Sequence, residues 1–112
     1  MHNPQSSSIL EHALAVVELS RPLVEAIQRR DRDLASQLRR AISSVALNLA
    51  EGFGTAAGNA RLRFESAGGS LSEAQAGVRV AVAWGYVSDA AAEGVLRSMH
   101  MLGGRVYGLA RR

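Results

Sequence analysis

The sequence predicts an all-α protein, an antiparallel up-and-down bundle of four helices. Three observations carry this prediction. Alanine and leucine recur at spacings of three and four, and no alternating run of β-branched or aromatic residues marks a strand. Only two prolines, Pro4 and Pro22, occur in the chain. Turn-forming clusters divide the rest into four stretches of about 20 residues, and short loops between such helices favour antiparallel neighbours.

Helix one is expected over residues 8–30, with Leu10, Ala13, Val17, Val24 and Ile27 as its inner stripe. Pro22 lies inside it, removes a backbone donor and predicts a kink. The charged run Arg29-Arg30-Asp31-Arg32-Asp33 forms the first turn. Helix two follows over residues 33–53, with Leu34, Leu38, Ala41, Ile42, Val45 and Leu49 inward. The glycine-rich stretch Gly52 to Asn59 stops it. Helix three, residues 60–84, has the cleanest pattern: Ala60, Phe64, Ala67, Leu71, Ala74, Val78 and Ala81 alternate by four and three. That is a heptad seam of mostly small residues, which lets a neighbouring helix approach closely. Gly85 stands where a glycine would close this helix. Helix four, residues 88–110, starts at Ser88 as N-cap with Asp89 behind it. Val95, Met99, Leu102, Val106 and Leu109 form its stripe, and Gly103-Gly104 weakens it unless another helix packs close there.

These elements make one domain spanning residues 1–112, a length that can bury a core without staples. Hydrophobic residues make up 47%, which argues against disorder. The chain has no cysteine, so disulfides, thiol catalysis and thiolate metal sites are all excluded. The start, Met1 to Ser8, lacks the basic and apolar regions of a signal peptide. No apolar run approaches the ~20 residues that cross a bilayer. A cytoplasmic protein with no membrane partner is the expectation.

All 13 basic residues are arginine, and the formal charge is +3. Arginine grips phosphate or carboxylate bidentately. Arg32 and Arg39 share an outward stripe with Ser36 and Ser43, and Arg61, Arg63, Arg111 and Arg112 add charge elsewhere. Arg32, Arg39, Arg61 and Arg63 are the candidate nucleic-acid contacts; the plainer reading is a solvated face. The few aromatic residues stand mostly at core-like positions, so binding would be electrostatic and weakly sequence-selective.

A second, polar row accompanies the core on helix two: Gln37, Arg40, Ser44, Asn48 and Glu51. Helix three carries Ser66, Gly69, Ser70, Glu73 and Gly77 on a matching line. We read Gln37, Arg40, Asn48, Glu51, Ser70 and Glu73 as a partly buried structural network. Arg40 is expected to pair with Glu73, leaving Glu51 to Arg61, Arg63, another helix or a neighbouring subunit. An enzymatic reading would use Glu51 and Glu73 as paired carboxylates, but the sequence shows no cleft or polarising group for them. Gly52, Gly54 and Gly58 lack the preceding strand and the following Gly-Lys-Ser/Thr of a phosphate loop. His2, His12 and His100 are scattered, and His100 beside Met99 and Met101 is a weak echo of haem ligation. No catalytic residue, metal or cofactor is therefore expected, and the protein is read as non-enzymatic.

The central stretch carries a resemblance. Gln37-Leu38-Arg39-Arg40-Ala41, Asn48-Leu49-Ala50-Glu51-Gly52-Phe53-Gly54, Phe64, Ala67-Gly68-Gly69-Ser70-Leu71-Ser72-Glu73 and Trp84-Gly85-Tyr86 together resemble the bacterial four-helix bundle protein family. It includes proteins encoded in intervening sequences of large-subunit ribosomal RNA genes and the accessory variability determinants of diversity-generating retroelements. The resemblance implies a homopentamer, with Arg39, Arg40, Asn48, Glu51, Ser70 and Glu73 as signature positions. In the retroelement relatives it also implies association with nucleic acid and a reverse transcriptase. Ala46 stands where relatives often carry proline, which predicts a straighter helix two here. The expected function is an oligomeric scaffold that binds RNA, DNA or a nucleic-acid-processing enzyme. The alternative is a purely structural protein–protein interaction module.

Overall fold

A computed structural model describes residues 4–111, with side chains from Ser8 onward except that of Ala57. His2 and Arg112 lie outside the described residues. Four helices follow in order: α1 (Pro4–Gln28), α2 (Arg32–Phe53), α3 (Ala57–Ala83) and α4 (Asp89–Ala110). They form a compact all-α body of 42 × 21 × 20 Å, with no strand among the described residues. Each helix packs on its neighbour in the chain, α1 closes against α4, and the α2–α3 contact is the most extensive.

The helix ends follow from capping chemistry. The backbone amides of Arg30 and Asp31 both turn back to the Ile27 carbonyl, at 2.9 and 2.7 Å, which ends α1 two residues before the expected point. Asp31 then caps α2 by accepting from the Leu34 amide at 3.0 Å. The α2–α3 loop shrinks to Gly54–Ala56, because Gly58 and Asn59 belong to the helix, not to the loop predicted for them. Ser88 caps α4 as expected, accepting from the Ala91 amide at 3.1 Å. At the end of α3 the Tyr86 amide reaches the Ala81 carbonyl and the Gly85 amide reaches that of Val82, both at 2.9 Å. This six-to-one and five-to-two pair needs a left-handed residue, supplied by Gly85 at φ +78°. Nothing else crowds Gly85, so Gly85→Ala is expected to cost about 1 kcal/mol from backbone strain alone. A thermal melt that matches the parent would disprove that requirement.

The predicted seams of α3 and α4 are buried almost residue for residue; Ala60 alone is half-buried. On α2 every predicted position is buried except Leu34, and Ala35, Ala46 and Gly52 join them. The stripe of α1 is corrected. Ile9, Val16, Leu23 and Ser20 are buried, whereas Leu10 and Val17 are only half-buried. The face has rotated because α1 must serve α2 and α4 at once. Buried Ser20 satisfies its hydroxyl on the Val16 carbonyl at 2.6 Å. The helix is not broken at Pro22, which stands on the exposed side.

Two glycines set how closely α2 and α3 approach. A methyl group on Gly52 would stand 2.8 Å from Cδ1 of Phe64, whose ring also packs on Phe53 with centroids 5.1 Å apart. A methyl group on Gly77 would stand 2.7 Å from Cδ2 of Leu38. Glycine fits where two helices meet with no space for Cβ. Contacts along this seam run Leu38 to Gly77, Ser44 to Ser70 and Glu51 to Arg63, so numbers rise on α2 as they fall on α3.

Candidate functional site

The polar row between α2 and α3 is real at its middle and different at its ends. Ser44 is the hub. Asn48 Nδ2 donates to the Ser44 carbonyl and to its Oγ, both at 2.9 Å. Ser70 Oγ donates to Ser44 Oγ across the helix interface at 2.9 Å. All three residues are half-buried, so this small network pins the register of the two helices. Glu51 pairs with Arg63 at 3.0 Å, one of the partners expected for it. Both side chains are more than half exposed, so the pair contributes little, about 0–1 kcal/mol.

The expected pair between Arg40 and Glu73 is not formed within the chain. Arg40 Nη1 donates instead to Ser36 Oγ, one turn back on its own helix, at 2.8 Å. Arg40, Glu73 and Gln37 are all exposed. The register explains this correction. Ser44 faces Ser70 and Leu38 faces Gly77, so the turn of Arg40 meets the turn of Glu73 and Ala74. Ala74 takes the buried place there, and Glu73, about 100° round the helix, is left outside. The two glutamates of the enzymatic reading do not share a recess. Glu51 lines a shallow hollow with Gly54, Thr55, Asn59, Leu62, Arg63 and Ser66, and Glu73 lies outside it.

The four candidate arginines fall into two pairs at opposite ends of the bundle. Arg32 and Arg39 line a shallow recess with Glu25, Gln28 and Arg29, where Arg39 donates to Gln28 Oε1. At the other end Arg61 stands 3.7 Å from Glu65, and Arg63 is held by Glu51. The first pair has no carboxylate within ion-pairing distance among the described residues; the second is neutralised.

The sequence reading missed an aromatic group at the α3–α4 turn. Trp84 is 69% exposed and stacks on Tyr86, with centroids 6.4 Å apart and planes 18° from parallel. The Arg30 guanidinium lies 5.5 Å over the Tyr86 ring. Tyr86 donates its hydroxyl to Asp31 Oδ2 at 3.1 Å, which ties the α3–α4 turn to the α1–α2 turn. Partial burial raises the Tyr86 phenol above its ordinary pKa, the Asp31 bond and charge raise it further, and Arg30 pulls it down. One signal was available. The α3 seam steps from Ala81 to position 85, so Trp84 stands one residue off it.

Another polar tie links α1 and α4. Arg105 donates to Ser8 Oγ at 2.7 Å and contacts His12 Nδ1 at 3.1 Å, with Ser98 Oγ 3.4 Å from Nε2. Arginine can only donate, so Nδ1 of His12 accepts. Among the described residues no three histidine or acidic side chains gather as a metal site requires. No helix among them is long and apolar enough to cross a membrane.

The outside of α3 carries a second seam. Leu62, Ser66, Gly69, Glu73, Ala76, Val80 and Ala83 alternate by four and three, and all are exposed. Leu62 is 61% and Val80 43% exposed, and Leu47 on the outer side of α2 is 64% exposed. A helix in a lone bundle needs one apolar stripe; α3 adds this second line, in which Leu62 and Val80 stand among small residues, Ser66 and Glu73.

The sequence model of the 23S rRNA-intervening sequence proteins matches residues 7–108, nearly the whole chain. The chain belongs to the 23S rRNA-intervening sequence protein family. No curated protein matches it. The match runs through all four helices of this intervening-sequence protein, so the polar hub, the close-packed glycines and the outer seam all lie within the family's region.

Proposed function

We propose that this member of the family is a non-enzymatic homo-oligomeric scaffold, with five subunits the expected number, that binds RNA or DNA. It works in the cytoplasm, alone or with a nucleic-acid-processing enzyme such as a reverse transcriptase. The protomer is an antiparallel up-and-down bundle, supported by interhelical contacts whose residue numbers rise on one helix as they fall on the next. The observation that carries the oligomer is the outer seam of α3. Its apolar and small residues Leu62, Gly69, Ala76, Val80 and Ala83 stay exposed among the described residues, and a second copy would cover them. Nucleic-acid binding is supported by Arg32 and Arg39, which face solvent with no carboxylate within ion-pairing distance among the described residues.

The second reading is a protein–protein module without nucleic-acid binding. The pairing of Arg61 with Glu65 and of Arg63 with Glu51 favours it, because a neutralised arginine attracts phosphate weakly. A salt series separates the two. Binding of labelled RNA and DNA should fall on the order of 100-fold between about 50 and 200 mM salt if four phosphates are neutralised. Absence of binding at low salt would leave the interaction module standing.

A further inference from the structure

We propose that Trp84 is a stacking platform for an unpaired nucleobase, with Arg30 over the neighbouring Tyr86 ring and the arginines of the α1–α2 turn that carries it to meet the flanking phosphates. This deepens the nucleic-acid reading above and rests on it.

The aromatic pair is built, not incidental. Tyr86 is held by its bond to Asp31 and by Arg30 over its ring, and Trp84 stacks on it with nearly parallel planes. Trp84 therefore has a rigid backing yet remains 69% exposed. A tryptophan so exposed forfeits the burial that such a large ring can contribute, which calls for an occupant. A base offers the matching chemistry: every base has a π-face, and stacking on an aromatic side chain tolerates any sequence. Single strands present such faces; a duplex hides them between stacked pairs.

The charges agree. The Tyr86 bond to Asp31 brings the α1–α2 turn, with Arg29, Arg30 and Arg32, against the aromatic turn. Asp31 is turned toward the Leu34 amide and the Tyr86 hydroxyl. Asp33 and Asp89 share this end, in the first turns of α2 and α4, where the positive helix ends offset their charge. Tyr107, the other exposed aromatic ring, is a poorer platform. Arg111 covers it at 5.2 Å, and it lines a hollow that also holds Glu65.

Trp84 is the sole tryptophan, so the intact protein reports on the site. The experiment titrates it with short oligouridylate, short oligothymidylate and a duplex of equal length, reading ligand anisotropy and tryptophan emission together. The two single strands should quench Trp84 emission and the duplex should not; a larger effect from one strand identifies RNA or DNA as the source. Trp84→Ala should weaken single-strand binding by about 5- to 100-fold and leave duplex binding unchanged, with the helical content of the bundle retained. Trp84→Phe should retain most of the affinity. Single-strand binding with unchanged emission, or affinity unaltered in Trp84→Ala, overturns the platform but leaves the nucleic-acid reading intact. No binding of any strand at low salt overturns both. Emission shielded from a neutral quencher in the free protein also overturns the platform, because a neighbouring subunit then covers the ring.

Discussion

Gly69→Leu is expected to break the assembly into 11.9 kDa protomers while leaving each bundle folded. Gly69 lies at the middle of the outer seam of α3, and a Cβ there meets nothing within 4 Å in its own chain. In an isolated protomer the substitution removes a mid-helix glycine and should gain about 0.5–1 kcal/mol. In a packed interface the same side chain must displace a neighbouring helix. Overpacking costs about 1–3 kcal/mol, which weakens each subunit contact by up to about 100-fold. Light scattering and a thermal melt read the two effects separately. An unchanged assembly with a raised melting temperature would remove the outer seam from the interface. A monomeric parent protein at micromolar concentration would remove the oligomer altogether.

Leu38→Ala is expected to be among the most damaging single changes, at about 2–5 kcal/mol. Leu38 is buried toward one end of the α2–α3 contact, where its methyl groups fill the space left by Gly77. For a domain of this size that loss is a large share of a total stability of about 5–15 kcal/mol. The partner change tests the contact itself. A methyl group on Gly77 would stand 2.7 Å from Leu38 Cδ2 and 3.2 Å from Cγ, with a buried side chain that has little room to yield. Gly77→Ala alone should therefore destabilise by about 1–3 kcal/mol despite a helix-propensity gain of about 1 kcal/mol. In the Leu38→Ala background the clash is gone and the propensity gain remains, so Gly77→Ala should turn neutral or stabilising. Urea unfolding of the four proteins gives the coupling. Effects that add within about 0.5 kcal/mol would show that the two residues do not meet.

The contrast between these glycines shows what a sequence reading can reach. Gly69 and Gly77 stand on the same predicted line of small and polar residues on helix three, and composition treats them alike. The structure separates them: Gly77 meets Leu38 inside the chain, and Gly69 meets nothing. The same holds for Arg40 and Glu73. Periodicity put each beside the core of its helix, and both are indeed on the border face, but the pair needed a further turn of each helix toward the other. Trp84 was not singled out, for a simpler reason. Aromatic rings are usually buried, and that prior outweighed a position one residue off the seam.

What the sequence by itself determined is the number and order of the helices and the inward faces of α2, α3 and α4, together with Ser88 as a cap and Gly85 as a stop. Those features are local: a repeat of four and three marks a helical face, and cap chemistry acts within a few residues of the chain. Only the tertiary structure decided which polar groups meet. Ser44 found Ser70, Glu51 found Arg63, and Tyr86 found Asp31 across 55 positions of chain. Such pairings depend on the rotation and axial shift of one helix against another. A shift of one turn, about 5.4 Å, preserves every periodic pattern in the sequence and exchanges every partner.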